Sequence, residues 1–126
     1  MADYIQIKNG TTDVQPIGAD TGSTTRYFRS ADGTQICWGT ITPAYANPNI
    51  AQATVNFTVA FSAYPCITAT PYGAENAAQE LSANVKIGGS RSTTGFTVTY
   101  HDPGGHFNSS GAYIKPIYWI AIGRWK

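Results

Sequence analysis

The chain has 126 residues, 42% of them hydrophobic and only 12% charged, with 8 Lys and Arg against 7 Asp and Glu and a net charge of +1. That is length for a single domain with a modest core, and its charged share is about half the usual ~25%. The basic residues Lys8, Arg26, Arg29, Lys86, Arg91, Lys115, Arg124 and Lys126 are scattered and make no stripe for nucleic acid, and no run approaches the ~20 apolar residues of a membrane helix.

The first residues, Met1 to Lys8, lack the basic start and long apolar run of a signal peptide, so synthesis in the cytoplasm is expected. Asn9 to Thr25 is rich in Gly, Thr and Asp and has little periodicity. Residues 1–29 therefore read as an extended arm outside the main domain, which spans 30–126. Within the arm, Ile5 and Ile7 alternate with polar residues and suggest a short strand. Arg26, Tyr27, Phe28 and Arg29 are candidates for packing between subunits.

Ala31-Asp32-Gly33 reads as a tight turn. Gln35 to Ile41 is the first clear strand. Pro43 to Gln52 reads as a loop, offering Tyr45, Asn47 and Asn49. Ala53, Val55, Phe57 and Val59 then alternate with Thr54, Asn56 and Thr58, the period of a strand with one face in the core. Cys66 to Thr70 follows a Tyr64-Pro65 step. Ala74 to Leu81 is the best helix candidate; elsewhere Gly, Pro and Thr recur too often for a helix to propagate. Leu81, Ala83, Val85 and Ile87 alternate, Gly88-Gly89 suggests a turn or bulge, and Phe96, Val98 and Tyr100 alternate again. Asp102-Pro103-Gly104-Gly105 opens a long loop to about Ala112.

The last strand, Ile117 to Gly123, is apolar on both faces. A strand apolar on both sides is covered on both sides, and so small a domain has one core. The inference is that one face meets the core and the other a second subunit, with Tyr118, Trp119, Ile120 and Ile122 at the interface. The alternative is that Tyr118 and Trp119 roof a loop. The two cysteines, Cys37 and Cys66, match no metal or redox spacing and read as small buried hydrophobes. A cytoplasmic origin argues against a disulfide.

These signals predict an all-β protein, an antiparallel β-sandwich of about six strands with turn-rich joints. No internal repeat is visible. No G-x-S-x-G, P-loop or H-E-x-x-H is present, and Glu75, Glu80 and Asp102 make no evident catalytic pair, so no enzyme activity and no cofactor are expected. His101 and His106 flank Asp102, but no further ligand is fixed, and the expectation is a polar loop without a metal. The 101–113 loop offers His101, Asp102, His106, Phe107, Asn108 and Tyr113. Aromatic rings that pack on the apolar faces of sugars, beside amides that satisfy hydroxyls, make this loop and the 43–52 loop candidate ligand sites. The N-x-Ser/Thr triplets at Asn9, Asn56 and Asn108 are what a Thr-rich chain produces by chance.

Four pieces in order resemble the C-terminal domain of bacteriophage tail-fibre proteins: Ser30 to Thr40 (SADGTQICWGT), Ala60-Phe61 through Tyr64-Pro65, Thr93 to Val98 (TTGFTV) and Tyr118 to Gly123 (YWIAIG). They span residues 30 to 124. The strand arrangement is also similar to the H-type lectins, trimeric β-sandwiches that bind sugars. The resemblance implies a homotrimer on a virion tail fibre, made in the host cytoplasm, that recognises a bacterial surface carbohydrate or protein; residues 1–29 would be the remnant of the fibre shaft. No lectin's sugar-contacting residues carry over. A structural trimerisation, capping or assembly module, or a free-standing lectin, is the rival expectation.

Overall fold

The computed structural model describes residues 8–9, 12–13, 25–71, 84–111 and 113–126. The expected arm, the strand at Ile5 and Ile7, and the helix candidate Ala74 to Leu81 lie largely or wholly outside them. The described residues contain no helix and ten strands: β1 (Lys8–Asn9), β2 (Thr12–Asp13), β3 (Thr25–Arg29), β4 (Thr34–Ile41), β5 (Ala44–Asn47), β6 (Ile50–Asn56), β7 (Cys66–Pro71), β8 (Asn84–Ile87), β9 (Gly95–His101) and β10 (Ile117–Arg124). β1 and β2 pair with each other. The other eight form two antiparallel sheets, β3-β4-β10-β7 and β5-β6-β9-β8, packed as a β-sandwich.

Two strands beyond the expected six complete the sheets. β3 pairs with β4 from Thr25 opposite Gly39 to Arg29 opposite Gln35. β3 thus belongs to this sheet although its residues lie within the 1–29 stretch read as arm. The joint is the anticipated turn: Gly33 takes φ +99, the left-handed region that only glycine enters freely. The Asp32 carboxylate accepts from the Ser30 hydroxyl and from the Thr34 N–H at 2.8 Å. The second extra strand, β5, turns the expected 43–52 loop into a hairpin with β6, with a bulge between Tyr45 and Asn47. All four of its side chains are exposed, so it carries no alternation for a reader to find.

Inward positions of both sheets and two connecting segments make one core: Cys37, Ala51, Val55, Phe57, Phe61, Phe96, Val98, Tyr100, Phe107, Ile114, Ile117, Trp119 and Ala121. Its centre is aromatic. Trp119 stands edge-on to Phe96, with centroids 5.5 Å apart, and 5.8 Å from Phe57. Burying a side chain such as Phe96 contributes about 2 to 3 kcal/mol relative to leaving it in water. Gly95 is where β9 crosses closest to β6; a Cβ there would meet the Val55 carbonyl oxygen at 2.2 Å.

The one buried amide among the described residues, Gln35, has partners for both its ends. Its Nε2 donates to the Val59 carbonyl at 3.1 Å and its Oε1 accepts from Arg29 Nε at 2.7 Å. The cysteines depart from expectation in one half. Cys37 is buried, but Cys66 is exposed, and both are free. Register explains the split: Cys37 lies opposite Ala121 and Cys66 opposite Ile122, neighbours on β10 that point to opposite faces.

Candidate functional site

At one end of the sandwich the 101–113 loop and the β5-β6 turn are stitched together. The Asp102 N–H donates to the Asn49 carbonyl at 2.9 Å, and the Phe107 N–H to the Pro48 carbonyl at 3.0 Å. Asn49 Nδ2 returns a bond to the Asp102 carbonyl at 2.9 Å. Asp102 anchors its own loop. Its side chain is fully buried and accepts from the Gly104 N–H at 2.9 Å, the His106 N–H at 2.7 Å and His106 Nδ1 at 2.8 Å. Burial pushes this carboxyl up, but the two backbone donors and the His106 ring outweigh that and hold it below the usual carboxylate range.

The structure thus brings the two predicted loops together, yet turns much of their chemistry inward. Asp102 and Phe107 are buried, at 0% and 3% exposure, and present nothing to a ligand, which corrects their assignment as ligand-binding. Phe107 packs at a tilt against Tyr100 with centroids 5.2 Å apart. Tyr113 packs partly buried against the core. Asn47 accepts the Asn49 N–H, and Asn108 accepts both the N–H and hydroxyl of Ser110, so both side chains serve their own turns. His101 Nδ1 is buried with no hydrogen-bond partner among the described residues. Tyr45, Asn47 and His106 are the predicted residues exposed to solvent here. No group of three His, Cys, Asp or Glu among the described residues could hold a metal.

The second candidate surface is the outer face of the β3-β4-β10-β7 sheet. β10 is a central strand whose side chains alternate strictly from Ile117 to Ile122. Ile117, Trp119 and Ala121 enter the core, while Tyr118, Ile120 and Ile122 stand outward at 49%, 39% and 46% exposure. Trp119 is therefore a core residue, and its placement at a subunit interface is corrected by strand parity alone. Pairing extends the outward row across the sheet. Ile122 lies between Ile36 and Cys66, and Ile120 between Trp38 and Thr68. Phe28 and Arg26 continue these rows on β3. Phe28 was among the candidates for packing between subunits, but the contributions of Ile36 and Trp38 escaped the sequence reading. Their signal was present in the Ile36-Cys37-Trp38 alternation, once β4 is known to neighbour β10.

No family model matches the chain, and no curated protein matches it. Two solved structures do. One is a P. aeruginosa R1 pyocin fibre comprising C-terminal residues 323–701, and the other an N-truncated R1-type pyocin tail fibre. Each superposes with a TM-score of 0.57 and 18% identity over 82% of this chain. The match spans 27% of the first fibre chain and 82% of the second. The sandwich therefore has the fold found in the C-terminal part of a pyocin tail fibre.

Proposed function

We propose that this chain is the receptor-binding tip of a tail fibre of a phage or phage-like particle. It acts as a homotrimer and binds a bacterial surface glycan or protein through several equivalent, individually weak sites. It carries out no reaction. The observation that carries this is the apolar outer row on β10: an exposed, contiguous apolar sheet face is a liability unless another chain covers it. The fold shared with a pyocin tail fibre supports the fibre setting. Three sites on one rigid tip gain avidity without any single tight contact. Lectin-like sugar binding is part of the proposal.

One observation favours a plainer role. The 101–108 loop spends Asp102, Phe107 and Asn108 on holding itself in place, as a capping or trimerisation module would. Sedimentation of the purified chain together with its binding to bacterial cells decides between them. A trimer that binds cells supports the receptor role, a trimer that binds none supports capping, and a monomer sinks both.

A further inference from the structure

The opposite end of the sandwich carries an open cavity of about 330 Å³ lined by Tyr64, Ile87, Gly88, Gly89 and Arg91. It sits between the segment leading into β7 and the turn joining β8 to β9. Both walls are held by backbone bonds. The Phe61 N–H donates to the Thr93 carbonyl at 2.9 Å, the Ser62 N–H to the Arg124 carbonyl at 2.8 Å, and the Gly88 N–H to the Thr97 carbonyl at 2.6 Å. The Tyr64 ring is 68% exposed, the most open large hydrophobic side chain among the described residues. The Arg91 guanidinium lies 5.8 Å from the Tyr64 ring centroid.

Arg91 has no carboxylate partner among the described residues. The acidic side chains described are Asp32 and Asp102. Asp32 is committed to the Ser30–Thr34 turn and Asp102 to its own loop. We infer that this cavity is a binding site for a short saccharide bearing an anionic group, a carboxylate or a phosphate. Tyr64 packs on the apolar C–H face of a sugar ring, and the planar guanidinium of Arg91, with its fork of N–H donors, pairs with the anion. The volume falls at the small end of ligand pockets, roughly 300 to 1,000 Å³. Gly89 leaves room for the ligand, since nothing stands within 4 Å of where its Cβ would be.

The site names the ligand class for the fibre-tip role proposed above and rests on it. β3 runs toward this end, from Thr25 opposite Gly39 to Arg29 opposite Gln35. In a fibre whose shaft precedes the sandwich, this is the far end, the one that meets a cell first.

The test is calorimetric titration of the full chain with an oligogalacturonate, with glucose monophosphate and with a neutral malto-oligosaccharide. Arg91→Gln and Tyr64→Ala remove the two contacts. Gly89→Leu fills the cavity without removing one, at a position whose backbone is not left-handed. Saturable binding of an anionic probe, weakened at least about tenfold by each substitution in chains that melt like the parent, is the expected result. Whether the carboxylate or the phosphate probe binds identifies the source of the charge. Equal binding of the neutral probe, no binding of either anionic probe, or unchanged binding in Arg91→Gln and Tyr64→Ala overturns the site. Cell binding run in parallel separates the two claims. Cells bound equally by all variants leave the fibre-tip role standing without this site. Probe binding lost in the variants of a parent that binds no cells leaves the site standing without that role.

Discussion

The two sheets of the sandwich obey the same alternation but present opposite chemistry to the outside. On β5-β6-β9-β8 the outward positions include Gln52, Thr54, Asn56, Lys86, Thr97 and Thr99, with Ile50 beside His101 and Asn84 at one end, and Gln52 Nε2 donates across to Thr99 Oγ1 at 3.2 Å. On β3-β4-β10-β7 the matching positions include Phe28, Ile36, Trp38, Tyr118, Ile120 and Ile122, with Arg26, Thr40, Thr68 and Thr70 beside them. Both inner faces feed one core, so the contrast does not arise from folding the monomer. One outer face is polar and the other carries an apolar row, which β10 sets against the core in alternate residues.

The largest effect expected comes from breaking the inner half of β10. Trp119→Ala removes the aromatic centre shared by the two sheets and costs about 3 to 5 kcal/mol of stability, read as a lower midpoint in urea unfolding. A loss below about 1 kcal/mol would place Trp119 outside the core, against its 4% exposure. The outer half is broken by Ile120→Asp with Ile122→Asp. Each isoleucine covered by a second subunit contributes about 1.5 to 3 kcal/mol, so this pair should turn a sedimenting trimer into folded monomers. Thr54→Asp with Asn56→Asp, the same charges on the other sheet, should leave both assembly and melting unchanged. Equal behaviour of the two double variants would erase the contrast between the faces.

How much of this was legible in the sequence follows from burial. Strands with one wet and one dry face, such as Phe96-Thr97-Val98-Thr99-Tyr100, announce themselves by period. β5 has four exposed side chains, and β3 lies beyond a low-complexity stretch, so neither offers a periodic signal. The two-sided apolarity of β10 was readable, but assigning sides needed parity, and Trp119 and Ile120 went to one interface although they point apart. The loop residues were the least legible. Asp, Asn and His are the residues of binding sites and also of self-capping turns, and Asp102, Asn47 and Asn108 use their side chains for the second purpose. The Tyr64 and Arg91 pairing joins positions far apart in the chain and leaves no local pattern.

A smaller effect is expected at the stitched end. Asp102→Ala orphans two backbone N–H groups and the His106 ring, at about 1 to 3 kcal/mol for each buried donor left without a partner, less wherever water reaches it. The pH dependence has a definite sign. The folded Asp102 carboxyl sits below its unfolded value of about 3.9, so its contribution is full above that pH and is lost as the pH falls through the folded value. Urea midpoints of the parent should fall over that acidic window more than those of Asp102→Ala. Parallel curves would show that the carboxylate does not hold the loop.

The smallest effect, in thiol reactivity, measures how far the proposed interface extends. Burial pushes the Cys37 thiol up to about 11, against the pull of the Gln35 side chain, so it stays protonated and inert in the native chain. Cys66 is exposed on the edge strand β7, level with Ile122 and on the same face. A maleimide should therefore modify Cys66 and spare Cys37 in the monomeric Ile120→Asp, Ile122→Asp chain. If the parent forms the proposed trimer with a neighbouring subunit over that row, the same reagent should react with its Cys66 several-fold more slowly. Equal rates in the two proteins, with the trimer intact, would confine the interface to β3, β4 and β10 and leave the β7 edge in water. Rapid labelling of Cys37 in either protein would mean that the sandwich opens, since Cys37 shares its inward register with Ala121 at the centre of the core.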